Sequence, residues 1–234
     1  MSAKPDGEAP TNRPTWREVA AMPGRRLFVA VPLEDAAVGT VAGLVERVRA
    51  GTGSGGRVRG RDLRWVRLDG LHLTLRFIGP TVEERVGPVA EAVRRAADAV
   101  APFELVLGGA GAFPNDDRPR ALWLGVAHGA TELGGLATAV DRELVAAGWP
   151  PSDRPFRPHL TLARSDGVAA GAQVAGRLAA EASGLAVPSQ VDRVVLFESV
   201  TGGGPARYVP VETAHLAGSD AGPDPRLRGV RSER

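Results

Sequence analysis

The tetrapeptide His-Leu-Thr-Leu occurs twice in this chain, at His72–Leu75 and again at His159–Leu162, 87 residues apart. Each copy lies in a short apolar run that reads as a strand. Strand side chains alternate between faces, so the His and Thr of each copy share one face and the two Leu share the other. The chain must therefore fold so that two strands each bury a leucine face and present an imidazole beside a hydroxyl. Two of its four histidines fall in this repeat, and a His and a Thr on one strand face add little to a core. One such motif carries little weight. Its verbatim repetition in matching contexts points to paired acid/base groups rather than to packing.

The repeat extends beyond the motif. Residues 25–33 read as a buried strand of β-forming residues. Val38, Val41, Leu44, Val45 and Val48 follow at helical spacing. A Gly/Arg loop then leads to a strand over 65–79 that carries His72. The second half repeats this order, with a strand over 120–126 and a helical stripe of Leu133, Leu136, Val140 and Leu144. Gly148 is expected to cap that helix, and a Pro/Arg loop leads on to His159. After the first motif, Thr81 with Glu84 reads as a capping box, and Pro88 suggests that the main helix begins near Gly87. Strands are expected at 103–109, 191–197 and 207–216, and Val174 with Leu178 marks another helix. The unit is strand–helix–strand–helix–strand, used twice. Two copies of this size suit an α+β domain of two lobes about a pseudo-twofold axis, with the motif strands near the axis.

Composition limits the chemistry. The chain has 234 residues and no cysteine, which excludes disulfides, thiolate metal sites and a thiol nucleophile. No run approaches a membrane span, and the first twenty residues lack the apolar segment of a signal peptide, so a cytoplasmic protein is expected. Residues 1–23 and 218–234 are rich in Pro, Gly and charge and read as disordered tails around a domain over 24–217. Net charge is only +2, so the distribution matters more than the total. Arg57, Arg59, Arg61, Arg64 and Arg67 precede the first motif, with Asp62 as the acid among them. Arg154 and Arg157 precede the second, and Arg164 follows it. Arginine near paired histidines suits a phosphate ligand, because guanidinium binds phosphate oxygens bidentately. Arg164 is singled out because it stands at the end of a motif strand.

With the stretches RLFVAVPL, LHLTLRFIG, AFPNDDRPRALWLGV and RPFRPHLTLAR in view, the chain resembles the two-histidine (2H) phosphoesterase superfamily. The specific likeness is to its RNA 2′,3′-cyclic phosphodiesterase family, also named 2′-5′ RNA ligase, and it covers nearly all of 25–217. Both H-x-T motifs are intact. The family's arginine after the second motif corresponds to Arg164, and Phe77 takes the equivalent place after the first. The Gly51–Gly60 loop is longer than typical.

The resemblance implies a bilobal α+β fold with antiparallel sheets and a central cleft holding His72, Thr74, His159 and Thr161. It implies hydrolysis of RNA 2′,3′-cyclic phosphate ends to 2′-phosphomonoesters, with 2′-5′ ligation as the reverse side reaction. His159 would activate water and His72 would protonate the leaving oxygen, roles that identical motifs cannot distinguish. Thr74, Thr161 and Arg164 would bind the phosphate. No cofactor is implied. Two histidines without a carboxylate on the motif face make a poor metal site, so no metal is expected.

Two alternatives remain open at this point. One is a phosphodiesterase for a small cyclic nucleotide, such as ADP-ribose cyclic phosphate, or for a 2′-5′ oligoadenylate. The other is a non-catalytic RNA or nucleotide binder, which both intact motifs disfavour. His128 and His215 are assigned structural roles, and a monomer is expected.

Overall fold

The computed structural model describes residues 23–52, 63–165, 168–200 and 206–217. Both expected tails and most of the Gly51–Gly60 loop, with Arg57, Arg59 and Arg61, lie outside them. The elements in chain order are β1 (Arg25–Pro32), α1 (Asp35–Thr52), β2 (Leu63–Trp65), a 3-10 turn (Leu68–Gly70), β3 (His72–Thr81), α2 (Glu83–Asp98), β4 (Phe103–Phe113), β5 (Ala121–His128), α3 (Ala130–Ala146), β6 (His159–Ser165), α4 (Val168–Glu181), β7 (Val187–Val191), β8 (Arg193–Val200) and β9 (Arg207–His215).

The strands form one hydrogen-bonded antiparallel sheet in the order β7-β4-β5-β6-β3-β1-β8-β9, with β2 added beside β6. Between β3 and β6 the ladder consists of a single residue pair, Leu73 opposite Leu160. The sheet is thus two four-stranded halves joined at the motifs. Each repeat also sends its later strands across. β4, from the first repeat, pairs with β5 and β7, while β8 and β9 pair beside β1. Helices α2 and α3 pack together behind one half, and α1 and α4 behind the other. Leu27, Val29 and Val31 of β1 and Val41, Leu44 and Val48 of α1 belong to one core with Leu73 and Leu160.

Four local expectations are corrected. The stretch 65–79 is not one strand: β2 ends at Trp65, a 3-10 turn covers Leu68–Gly70, and β3 starts at His72. The Asp69-Gly70 pair favours a turn there. Helix α2 begins at Glu83 rather than near Gly87 and contains Pro88. So near the N-terminus, Pro removes one intrahelical bond, and burial of Val86, Val89 and Val93 with Glu83 and Glu84 in the first turn sustains the helix. No capping box forms, because the N-cap is Val82 and Thr81 Oγ1 donates back to the Gly79 carbonyl at 3.2 Å. The strand expected at 191–197 is also divided, between β7 and β8, at Asp192.

Gly148 caps α3 as expected. It has φ +87°, its amide donates to Val145 and the Trp149 amide donates to Leu144, which is a Schellman motif. The loop after it is fastened to the other half of the molecule. Arg76 Nη2 donates to the Pro150 carbonyl at 2.6 Å, and Arg76 Nε lies 2.9 Å from Asp141 Oδ1, which accepts the Ser152 amide. This loop delivers the second motif.

Candidate active site

The single pair between β3 and β6 brings the two motifs together. Leu73 and Leu160 are 1% and 0% exposed and face the core. One step along the antiparallel register, His72 is level with Thr161 and Thr74 with His159. All four side chains are half-buried on the face opposite the leucines. The residues paired on sequence grounds thus meet across one ladder.

The same backbone device fixes both imidazoles. His72 Nδ1 donates to the Gly70 carbonyl at 2.7 Å, and His159 Nδ1 donates to the Arg157 carbonyl, also at 2.7 Å. In each motif the acceptor lies two residues before the histidine. This sets the tautomer of the neutral ring and leaves Nε2 as the nitrogen that can accept a proton. Gly70 serves a second purpose, since a Cβ there would approach Tyr208 Cδ2 to 3.0 Å.

A matched pair of bulges completes the face. In β3 the pairing with β1 skips from Arg76 to Thr74, leaving Leu75 as the extra residue. In β6 the pairing with β5 skips from Ala163 to Thr161, leaving Leu162. An extra residue reverses the alternation beyond it. Leu162 and Ala163 are therefore both buried, and Arg164 rejoins the face of His159 and Thr161, where it is exposed. Its charge acts on both imidazoles, so the arginine singled out in the sequence converges with both motifs. By the same parity Phe77 joins His72 and Thr74, and it stands 66% exposed.

The surroundings of the two histidines differ. Phe28 and Tyr208 flank His72 at ring-centroid distances of 4.9 Å and 5.0 Å, with Phe197 at 6.1 Å. His159 has Phe113 at 4.9 Å and Trp123 at 6.5 Å. Burial in the aromatic cage pushes the His72 pKa down to about 4, and the charges of Arg164 and His159 add to this. His159 is also lowered, first by burial and then by Arg164. Both rings are therefore neutral near pH 7 in the unliganded protein. A bound phosphate anion favours the imidazolium and would restore a proton to one of them.

The sequence reading missed the cage residues Phe28, Phe113, Trp123, Phe197 and Tyr208. They come from five strands with no common motif, and only the alternation opposite a core face hinted at them. His128 is exposed at the end of β5, whereas His215 lies half-buried in β9, and neither is among the residues that flank the motif histidines. Among the described residues, no three His, Asp or Glu side chains gather where they could hold a metal ion. No described helix is long and apolar enough to cross a membrane.

Residues 39–203 match the family description of the 2′-5′ RNA ligase superfamily. An Aeropyrum pernix RNA 2′,3′-cyclic phosphodiesterase is 41% identical over 108 residues, which are 46% of this chain and 60% of the relative. A namesake from Methanothermobacter thermautotrophicus is 31% identical over 142 residues, covering 61% and 72%. The chain thus spans 60% of the Aeropyrum relative and 54% of one from Aquifex aeolicus. Among solved structures, a Thermus thermophilus protein aligns with TM-score 0.61 at 29% identity, over 82% of this chain and 98% of its own. Escherichia coli LigT complexed with 3′-AMP aligns with TM-score 0.58 at 26% identity, over 82% and 98%.

Proposed function

This chain belongs to the 2′-5′ RNA ligase superfamily, and we propose that it hydrolyses RNA 2′,3′-cyclic phosphate ends to 2′-phosphomonoesters with His72 and His159 as the acid/base pair. The observation that carries this reading is the identical Nδ1 anchoring of two imidazoles whose motifs meet at one ladder pair. Both Nε2 atoms are thereby free to exchange protons with one phosphate between them. The relatives named RNA 2′,3′-cyclic phosphodiesterase support the substrate class.

The reaction is a displacement at phosphorus. One neutral imidazole takes a proton from water as the water oxygen bonds to phosphorus. The other, protonated, delivers its proton to the 3′ oxygen as the P–O3′ bond breaks. The unequal cages support a division of roles. A ring of lower pKa is the stronger acid once the nearby substrate anion has favoured its uptake of a proton from solvent, which suits His72 to the leaving oxygen. His159, with two aromatic rings around it rather than three, is left to activate water.

Thr74 and Thr161 donate hydroxyl hydrogen bonds to the non-bridging oxygens, and Arg164 offsets the charge that builds on them. Phe77, exposed on the same face, offers a stacking surface to the nucleobase. The pair run backwards would join the cyclic end to a 5′-hydroxyl as a 2′-5′ linkage. The reading includes the cytoplasm as compartment and a single chain as working unit. The deciding experiment is 31P NMR of a 2′,3′-cyclic-phosphate oligonucleotide incubated with the protein and a chelator. A 2′-phosphomonoester is expected, and a 3′-phosphomonoester or an unchanged substrate would refute the reading.

A further inference from the structure

Strand β2 places an arginine that this mechanism leaves unused beside one that it needs. Leu63, Arg64 and Trp65 pair with Ser165, Arg164 and Ala163, and the Val66 amide donates to the Leu162 carbonyl at 2.9 Å. The segment before the first motif is thus laid along the strand of the second. Directly opposed residues of an antiparallel pair project from the same face. Burial agrees, with Leu63 and Ser165 buried while Arg64 and Arg164 are both exposed. Arg164 acts on both imidazoles, so the face it occupies is the reaction face, and Arg64 shares it.

Two guanidiniums side by side form a site for two adjacent negative charges rather than one. A cyclic phosphate carries a single negative charge, which Arg164 and the two hydroxyls already meet. Arg67, the next arginine along, is hydrogen-bonded to Asp69 at 3.0 and 2.6 Å, and it is Arg64 that stands directly opposite Arg164 in the ladder. We propose that Arg64 binds the chain phosphate next to the reactive one, making a polynucleotide end rather than a mononucleotide the preferred substrate. The proposal rests on the reading of Arg164 as a ligand of the reactive phosphate. A guanidinium suits this task because it can grip a phosphodiester with two parallel hydrogen bonds.

The test compares wild type and Arg64→Ala on three substrates. These are a nucleoside 2′,3′-cyclic phosphate with a free 5′-hydroxyl, the same nucleoside with a 5′-phosphate, and an oligoribonucleotide ending in the cyclic phosphate. Wild type should favour the second and third over the first. Arg64→Ala should reduce that preference in kcat/KM about tenfold, through KM, with Tm unchanged. It should also shorten the salt slope of oligonucleotide binding by roughly 0.7, the share of one phosphate contact on a single strand. An equal loss on all three substrates would overturn the proposal by assigning Arg64 to the reactive phosphate, and an unchanged preference would overturn it outright. Should wild type hydrolyse none of them, the proposed function fails instead. Fluorescence polarisation with an oligonucleotide bearing a 2′-phosphate end then still decides, because equal affinity of both proteins rules out the Arg64 subsite.

Discussion

The two motif strands share their chemistry and differ in their neighbours. In both, Nδ1 is tied to the carbonyl two residues upstream, and in both a bulge follows the threonine and turns the fifth residue after the histidine onto the histidine's face. That fifth residue is Phe77 in β3 and Arg164 in β6. The cage is three aromatic rings around His72 and two around His159. The common features belong to the backbone, which fixes tautomers and side-chain direction. The differences belong to side chains, which give a symmetric frame a direction, with an exposed aromatic arm on one motif strand and a cationic arm on the other, assigned in the proposed function to base and phosphate. A twofold site can thus carry out a reaction that needs one acid and one base.

The most severe test of this equivalence is loss of either ring. His72→Ala and His159→Ala should each lower kcat/KM by roughly 10²–10⁴-fold, and the double variant should be little worse, because the pair acts as a unit on one displacement. Near-normal hydrolysis by one single variant would show that the halves do not share the reaction. Next in size is Arg164→Ala, expected to lower kcat by about 10²-fold. Phe77→Ala, at the matching position, should instead raise KM by about tenfold and leave kcat nearly intact, given stacking worth about 1–3 kcal/mol. Steady-state kinetics on one oligonucleotide separates the two, and similar kcat losses would cancel the division into base and phosphate arms.

The cages predict a pH difference. His72 titrates near 4 when folded and near 6.5 when unfolded. The unfolded chain therefore binds the extra proton, so stability is complete above about 6.5 and falls as the pH drops toward 4. The slope within that window is at most about 1.4 kcal/mol per pH unit. Denaturant melts across this range should show the decline, and His72→Phe should flatten it. Opening the cage with Tyr208→Ala should raise the pKa of His72 and move the acidic limb of kcat/KM upward. A limb that stays in place would mean that Tyr208 does not cage the ring.

The architecture was legible where period and punctuation agreed. β1, the helical stripe of α1, and the Gly148 cap follow from residue spacing and from one glycine that must adopt positive φ. Pro88 misled because its penalty, in the second turn of α2, is small beside the burial of three valines. The 3-10 turn at Leu68–Gly70 was hidden because Leu68 and Leu71 prolong the apolar pattern through it.

By itself, the sequence determined that two His-Thr faces exist, that each rides on a buried leucine face, and that an arginine stands beyond the second. Strand alternation enforces this within any one segment, because it is local geometry. Only the tertiary structure decided that the two faces meet at Leu73 and Leu160, that the bulges at Leu75 and Leu162 bring Phe77 and Arg164 into the site, and that β2 sets Arg64 beside Arg164. Those are matters of register between distant strands, and register is fixed by how whole faces bury against one core.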